Sequence, residues 1–142
     1  MGKKRIIEKS DTAAGDAPKA AQHAPKQRIS SAILYVQSTY NNTKVSVADQ
    51  KGNTLLWSSS GSLGFKGAKK GTPFAAAKVA EVLADKSLDM GIKEVDVVIK
   101  GVGSGRESAV RAFSSKGILV ASIKDATPVP HNGPRPKKPR RV

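Results

Sequence analysis

The stretch that decides the fold class is residues 72–100, TPFAAAKVAEVLADKSLDMGIKEVDVVIK. Thr72 followed by Pro73 is typical of a helix start, because threonine can cap free amide groups and proline fits the first turn. Apolar residues then recur on one helical face, at Ala75, Val79, Val82 and Leu83. Gly91 ends the helix, and EVDVVI at 94–99 predicts a strand. A helix leading into a strand indicates an α/β domain.

The chain that follows repeats this pattern. Ser104 and Glu107 have the S-x-x-E spacing of a capping box, which predicts a second helix starting there. This helix is expected to bury Ala109, Val110 and Phe113 and to stop at Gly117. Residues 118–123, ILVASI, then predict the last strand.

Three strands precede the first helix. Residues 31–38, SAILYVQS, are apolar at alternating positions on both faces, so we expect a central strand covered on both sides. Residues 43–48 alternate with Val45 and Val47 inward, and 54–58 form a third strand after a turn. The predicted order is β-β-β-α-β-α-β. Strands joined through helices run parallel, so this is an α/β domain with a mixed five-stranded sheet.

The charge balance points to a polyanionic partner. Lys and Arg total 25 against 11 Asp and Glu, a net charge of +14, which is most often a sign of nucleic-acid binding. There is no cysteine, and the two histidines are far apart, which excludes disulfide scaffolds, thiol nucleophiles and histidine metal clusters. No apolar run is long enough to span a bilayer, and no secretory signal is recognisable. We expect a cytoplasmic protein.

Composition divides the chain into three parts. Residues 1–28 contain little to bury and are predicted to be a disordered N-terminal extension. Residues 29–127 form the α/β domain. Residues 128–142 carry five basic residues, five prolines and no acid, so they predict an extended cationic arm. The alternative is that the arm is only a solubilising tail. We favour RNA contact because the arm contains no acid.

Two glycine-rich segments are candidate binding sites. Residues 61–72, GSLGFKGAKKGT, combine flexible backbone with Lys66, Lys69 and Lys70 and contain no acid, which favours phosphate binding over a mobile solvent loop. The P-loop lysine is absent, so this is not a nucleotide site. The second segment, 101–106, lies between a strand and a helix. It is either an anion site at a helix N-terminus or a tight turn with a solvent-exposed arginine.

An enzyme is the competing hypothesis, since the β-β-β-α-β order is shared with ribonuclease H-like nucleases, which need clustered carboxylates. The first strand has no acid, and Asp49, Asp96 and Asp125 are scattered along the sequence. Neither a nuclease nor a nucleotide-binding enzyme is therefore favoured, and we expect no catalytic residue, metal or cofactor.

Four long motifs carry a resemblance to a known family. They are TYNNTKVSVAD (39–49), GNTLLWSSSGSLGFKGAKKGTPFAA (52–76), GIKEVDVVIKGVGSGRESAVRA (91–112) and IKDATPVPHNGPRPKKPRRV (123–142). Over about residues 30–142 the sequence resembles the ribosomal protein S-eleven family of the bacterial small subunit. The resemblance implies a three-layer α/β/α fold with a ribonuclease H-like motif and no catalysis.

The resemblance also implies a function and a set of contacts. The protein is expected to bridge small-subunit ribosomal RNA helices on the platform, beside the messenger RNA exit and Shine–Dalgarno region and next to ribosomal proteins S-seven and S-eighteen. The RNA-binding residues carried over by motif are Asn41, Asn42, Lys66, Lys69, Lys70, Gly103, Gly105, Arg106, His131, Asn132, Arg135, Lys137, Lys138, Arg140 and Arg141.

Overall fold

A computed structural model describes residues 28–141 as five strands, two α-helices and one short 3-10 helix. In chain order these are β1 (Ser31–Ser38), β2 (Thr43–Ala48), β3 (Thr54–Ser59), the 3-10 helix Gly67–Gly71, α1 (Pro73–Asp89), β4 (Glu94–Lys100), α2 (Gly105–Ser115) and β5 (Leu119–Asp125). The predicted disorder of the N-terminal extension concerns residues that, apart from Arg28, lie outside the described part.

The strands form one sheet in the order β3-β2-β1-β4-β5. β2 is antiparallel to both β1 and β3, whereas β1, β4 and β5 are parallel. This confirms the predicted mixed five-stranded sheet and the element order. Every strand except β2 therefore ends at the same end of the sheet, which brings the loops that follow them together.

The hydrophobic core lies on one face of this sheet. Leu34 in the central strand pairs with Val47 on one side and Val97 on the other, and all three side chains are fully buried. Val79 of α1 and Phe113 of α2 pack into the same cluster. The alternation that predicted β2 is confirmed here, because every second residue of a strand points toward the same face.

Both helices cover that same face and pack against each other. The crossovers through α1 and α2 both advance across the sheet toward β5, and crossovers of equal handedness then place their helices on one side. Residues 28–141 therefore form two layers, rather than the three that the resemblance implies. On the other face, Ile33 and Tyr35 are only half-buried, so β1 is not covered on both sides as its sequence predicted.

The helix starts show one correct prediction and one wrong one. Thr72 caps α1, since its side chain accepts a hydrogen bond from the amide of Ala75 at 3.3 Å. Ser104 makes no capping hydrogen bond to α2. Its hydroxyl donates to the carbonyl of Gly71 at 2.9 Å. The predicted capping box is wrong because Ser104 has helical backbone angles, φ −70° and ψ −13°, instead of the extended angles of a capping residue.

Candidate nucleic-acid interface

The candidate interface is the end of the sheet where β1, β3, β4 and β5 finish, which we call the loop end. It consists of the turn 39–42, the loop 60–72, the turn 101–105 and the segment 126–128, which leads into the arm. These four segments are far apart in sequence and come together because their strands run in one direction. Ligands of α/β folds commonly bind at the carboxyl ends of strands.

Glycines allow the four segments to pack closely. A Cβ atom on Gly71 would lie 2.9 Å from the carbonyl carbon of Tyr40 and would overlap its oxygen. A Cβ on Gly103 would overlap the carbonyl oxygen of Thr39 in the same way. The turn 39–42 is therefore held between the two glycine-rich segments. Gly103, predicted to contact RNA, is buried and serves this packing. Gly105, also predicted to contact RNA, is buried too, but a Cβ there would meet Ala76 of α1 and Thr43 of β2.

The buried hydroxyl of Ser60 connects the loop 60–72 to the turn 39–42. The Ser60 Oγ lies 2.6 Å from the Asn42 Oδ1 and 2.8 Å from the Lys70 carbonyl, and it accepts from the Thr43 amide at 3.3 Å. The Asn42 side chain, predicted to bind RNA, is thus engaged inside the fold, whereas Asn41 is exposed. Sequence reasoning missed Ser60, although a serine directly after a strand in the run SSSG was a usable signal.

The loop lysines point away from the fold. Lys66 and Lys69 are exposed and Lys70 is half-buried. None of the three takes part in a salt bridge of the described residues. Part of the loop forms the 3-10 helix Gly67–Gly71, which the sequence analysis treated as irregular. Beside it the ring of Phe65 packs edge-on against Phe74, with centroids 6.1 Å apart.

Arg106 lies at the start of α2, beside the end of β5. It forms an ion pair with Asp125, and its side chain is 30% exposed. Asp125 also accepts from the Thr127 amide at 2.9 Å and from the Thr127 hydroxyl at 2.6 Å. These hydrogen bonds, with a smaller contribution from Arg106, lower the pKa of Asp125 to about 2. Asp125, which the sequence analysis treated only as one of three scattered acids, therefore connects α2 to the segment that leads into the arm.

The arm is fixed at its root and exposed beyond it. The Ala126 amide donates to the Ile99 carbonyl at 2.9 Å, and the Gly101 amide donates to the Thr127 hydroxyl at 3.2 Å. Within the rest, the Arg135 guanidinium donates to the Asn132 side chain at 2.8 Å. All the predicted RNA-binding residues of the arm are exposed: His131, Asn132, Arg135, Lys137, Lys138, Arg140 and Arg141.

The three acids considered as catalytic candidates, Asp49, Asp96 and Asp125, each bond to a different neighbour. Asp49 lies in the turn between β2 and β3, where hydrogen bonds from Asn53 lower its pKa. Asp96 accepts from Ser122 at 2.6 Å on the sheet. Within residues 28–141 no group of three or more potential metal ligands occurs. None of the helices described could cross a membrane.

Comparison with known proteins gives one consistent result. The family model described as Ribosomal protein S11 matches residues 32–141. The chain is similar to the small ribosomal subunit protein uS11 of Solibacter usitatus, with 52% identity over 87% of this chain and 92% of the relative. It is also similar to the proteins of the same name from Synechococcus sp. and Synechococcus elongatus, each with 50% identity over 87% of this chain and 95% of the relative.

Proposed function

Because this chain belongs to the ribosomal protein S11 family, we propose that it binds small-subunit ribosomal RNA through the loop end and the arm and bridges separate RNA segments. Membership of the family makes it a structural, non-enzymatic component of the small ribosomal subunit, acting in translation in the cytoplasm.

One observation carries the choice of surface. The lysines of the loop 60–72 and the basic arm leave the fold at the same end of the sheet, and no carboxylate pairs with Lys66, Lys69 or Lys70 in the described residues. Cationic side chains without internal partners are available to neutralise phosphates, and each such contact releases counterions. Since phosphate contacts carry little sequence information, this surface positions the protein on folded RNA.

Bridging is supported by the separation of the two basic segments. The lysine loop follows β3 at one edge of the sheet, and the arm follows β5 at the other edge. Four interstrand spacings of about 4.8 Å put the ends of these strands roughly 19 Å apart. The two basic segments therefore start from opposite edges of the sheet, which supports contacts to two RNA segments.

The finer location rests on the family resemblance alone. We extend the proposal to a position on the platform beside the messenger RNA exit, with ribosomal proteins S-seven and S-eighteen as neighbours. Crosslinking within assembled small subunits tests this location. The arm should crosslink to platform RNA, and exposed residues of the domain should crosslink to ribosomal proteins S-seven and S-eighteen. Crosslinks confined to a distant part of the subunit would contradict the location while leaving RNA binding intact.

The test of the interface is a salt titration of binding to small-subunit ribosomal RNA. Replacing Lys66, Lys69 and Lys70 by Ala should flatten the slope of log affinity against log salt by about 2 to 3 units, given about 0.7–0.9 per phosphate contact. Deleting residues 128–142 should flatten it by about 3 to 4 units. Both variants should melt close to the parent temperature, because the changed side chains are largely exposed.

A matched triple variant controls for net charge. Lys51, Lys86 and Lys93 are exposed and lie at the opposite end of the domain, in the β2–β3 turn, at the end of α1 and before β4. Replacing these three by Ala removes the same charge and should change the slope much less. An equal effect of the two triple variants would mean that binding is diffuse and that the loop end is not the interface.

A further inference from the structure

The face of the sheet opposite the helices, which we call the open face, carries a continuous row of side chains. The strand register aligns Trp57, Ser46, Tyr35, Val98 and Lys124 across all five strands. At about 4.8 Å per strand this row is roughly 19 Å long. None of the described helices covers it, since both pack on the other face.

Trp57 is a large aromatic side chain that lies exposed on the open face. It is the single tryptophan of the chain, and it is 61% exposed on an edge strand. The ammonium group of Lys44 lies 5.6 Å from the centroid of its ring. Single-stranded nucleic-acid sites combine an exposed aromatic ring, on which a base stacks, with neighbouring cations that bind phosphates. Trp57 and Lys44 supply this pair, provided that the base uses the ring face that Lys44 does not cover.

Along the strand direction, the basic and acidic residues of the open face lie in separate halves. Lys44 and Lys100 flank the row on the side of the loop end, and Lys124 closes it at β5. All three are exposed, and none forms a salt bridge among residues 28–141. The acids of this face, Asp96 and Glu94, lie one and two rows farther from the loop end. The half nearest the loop end is therefore purely cationic.

A shallow cavity of about 210 Å³ lies within this cationic half, lined by Tyr35, Gln37, Lys44, Ser46, Val98 and Lys100. We propose that the open face binds single-stranded RNA, with a base stacked on Trp57 and phosphates held by Lys44 and Lys100. This goes beyond the proposed function, because it adds a second RNA surface outside the loop end. The cations suit a polyanion, and the exposed ring suits a ligand with planar bases rather than an acidic polypeptide.

The test uses the fluorescence of the full-length protein, since Trp57 is its sole tryptophan. Adding a single-stranded uridine oligonucleotide should quench this fluorescence with the same midpoint as binding measured on filters. Trp57→Leu should weaken binding of the oligonucleotide by roughly 5- to 150-fold, the range for loss of one stacked base. Lys44→Gln and Lys100→Gln should each flatten the salt slope by about 0.7, whereas Lys86→Gln, at the end of α1, should leave it unchanged.

Two results would overturn the proposal. One is saturating oligonucleotide binding with no change in Trp57 fluorescence, a measurement on the parent protein that does not depend on the folding of any variant. The other is quenching by poly-glutamate at the same charge concentration, which would assign the face to an acidic polypeptide. The variant with Ala in place of Lys66, Lys69 and Lys70 should still show quenching of Trp57 fluorescence by the oligonucleotide. If that variant loses affinity for ribosomal RNA while the parent shows no quenching, the open face is not an RNA site. The loop end would still be one, so the proposed function would stand.

Discussion

Replacing Gly71 by Ala should destabilise the protein although it adds only one methyl group. The new Cβ would lie 2.9 Å from the Tyr40 carbonyl carbon, overlap the oxygen, and stand 3.4 Å from the Asn41 Cα. All three atoms are backbone, so no side-chain rotation relieves the overlap, and the loop or the turn 39–42 has to move. Overpacking of this kind typically costs 1–3 kcal/mol, and we expect about 2–3 kcal/mol here. For a domain of this size that lowers the melting temperature by roughly 10–20 °C.

Gly61→Ala is the matched control, because it makes the same chemical change in the same loop. Its Cβ would meet only the Lys70 Cδ at 3.7 Å and the Ser59 Oγ at 3.9 Å, which are ordinary contacts. Neither glycine has a positive φ, so backbone strain does not enter the comparison. Gly61→Ala should be neutral or stabilise by about 0.4–1 kcal/mol through the unfolded state.

Thermal melts followed by circular dichroism compare the two variants directly. The packing between the loop 60–72 and the turn 39–42 is supported if the two variants change the free energy of unfolding in opposite directions or by amounts that differ by at least about 2 kcal/mol. If Gly71→Ala melts within error of Gly61→Ala, the loop 60–72 is not pressed against the turn, and the description of the loop end is wrong.

Two further predictions concern the same end of the molecule. The pKa of Asp125 is lowered from 3.8 to about 2, so the stability from its contacts is present above about pH 4 and is lost as the pH falls through about 2. The Thr127 amide resonance should titrate with that midpoint and show no such step in Asp125→Asn, whereas a midpoint near 3.8 would contradict the contacts. Phe65→Ala should lower stability with a coupling to Phe74→Ala of about 0.5–1.5 kcal/mol in a double-mutant cycle. A coupling of zero together with a large loss of RNA affinity would show that the Phe65 ring stacks on RNA instead.

The sequence predicted those features that depend on neighbouring residues. Alternation at Val45 and Val47 identified a strand, and Thr72 with Pro73 marked the start of α1, because strand period and helix capping are local properties. The element order then determined the parallel strands, and with them the end of the sheet at which the loops meet.

Several features that the sequence did not reveal depend on partners distant in sequence. Ser104 has the spacing of a cap, but its hydroxyl bonds to Gly71, 33 residues away. The ion-pair partner of Arg106 is Asp125, 19 residues later, which the spacing of the sequence did not indicate; contact of Arg106 with RNA stays a prediction. Composition gave the loop and arm their cationic character, yet it could not separate exposed Asn41 from Asn42, whose side chain meets buried Ser60.

The polarity of the central strand has a practical consequence for labelling. β1 starts at Ser31, at the end of the sheet opposite the loop end, whereas β5 finishes at Asp125 beside it. A fusion that replaces residues 1–27 therefore joins the domain on the side away from Lys66, Lys69 and Lys70, whereas a fusion after Arg141 and Val142 extends the proposed RNA-binding arm. An affinity handle or fluorophore for assembly experiments is therefore best placed before Arg28, where it leaves the cationic arm unmodified.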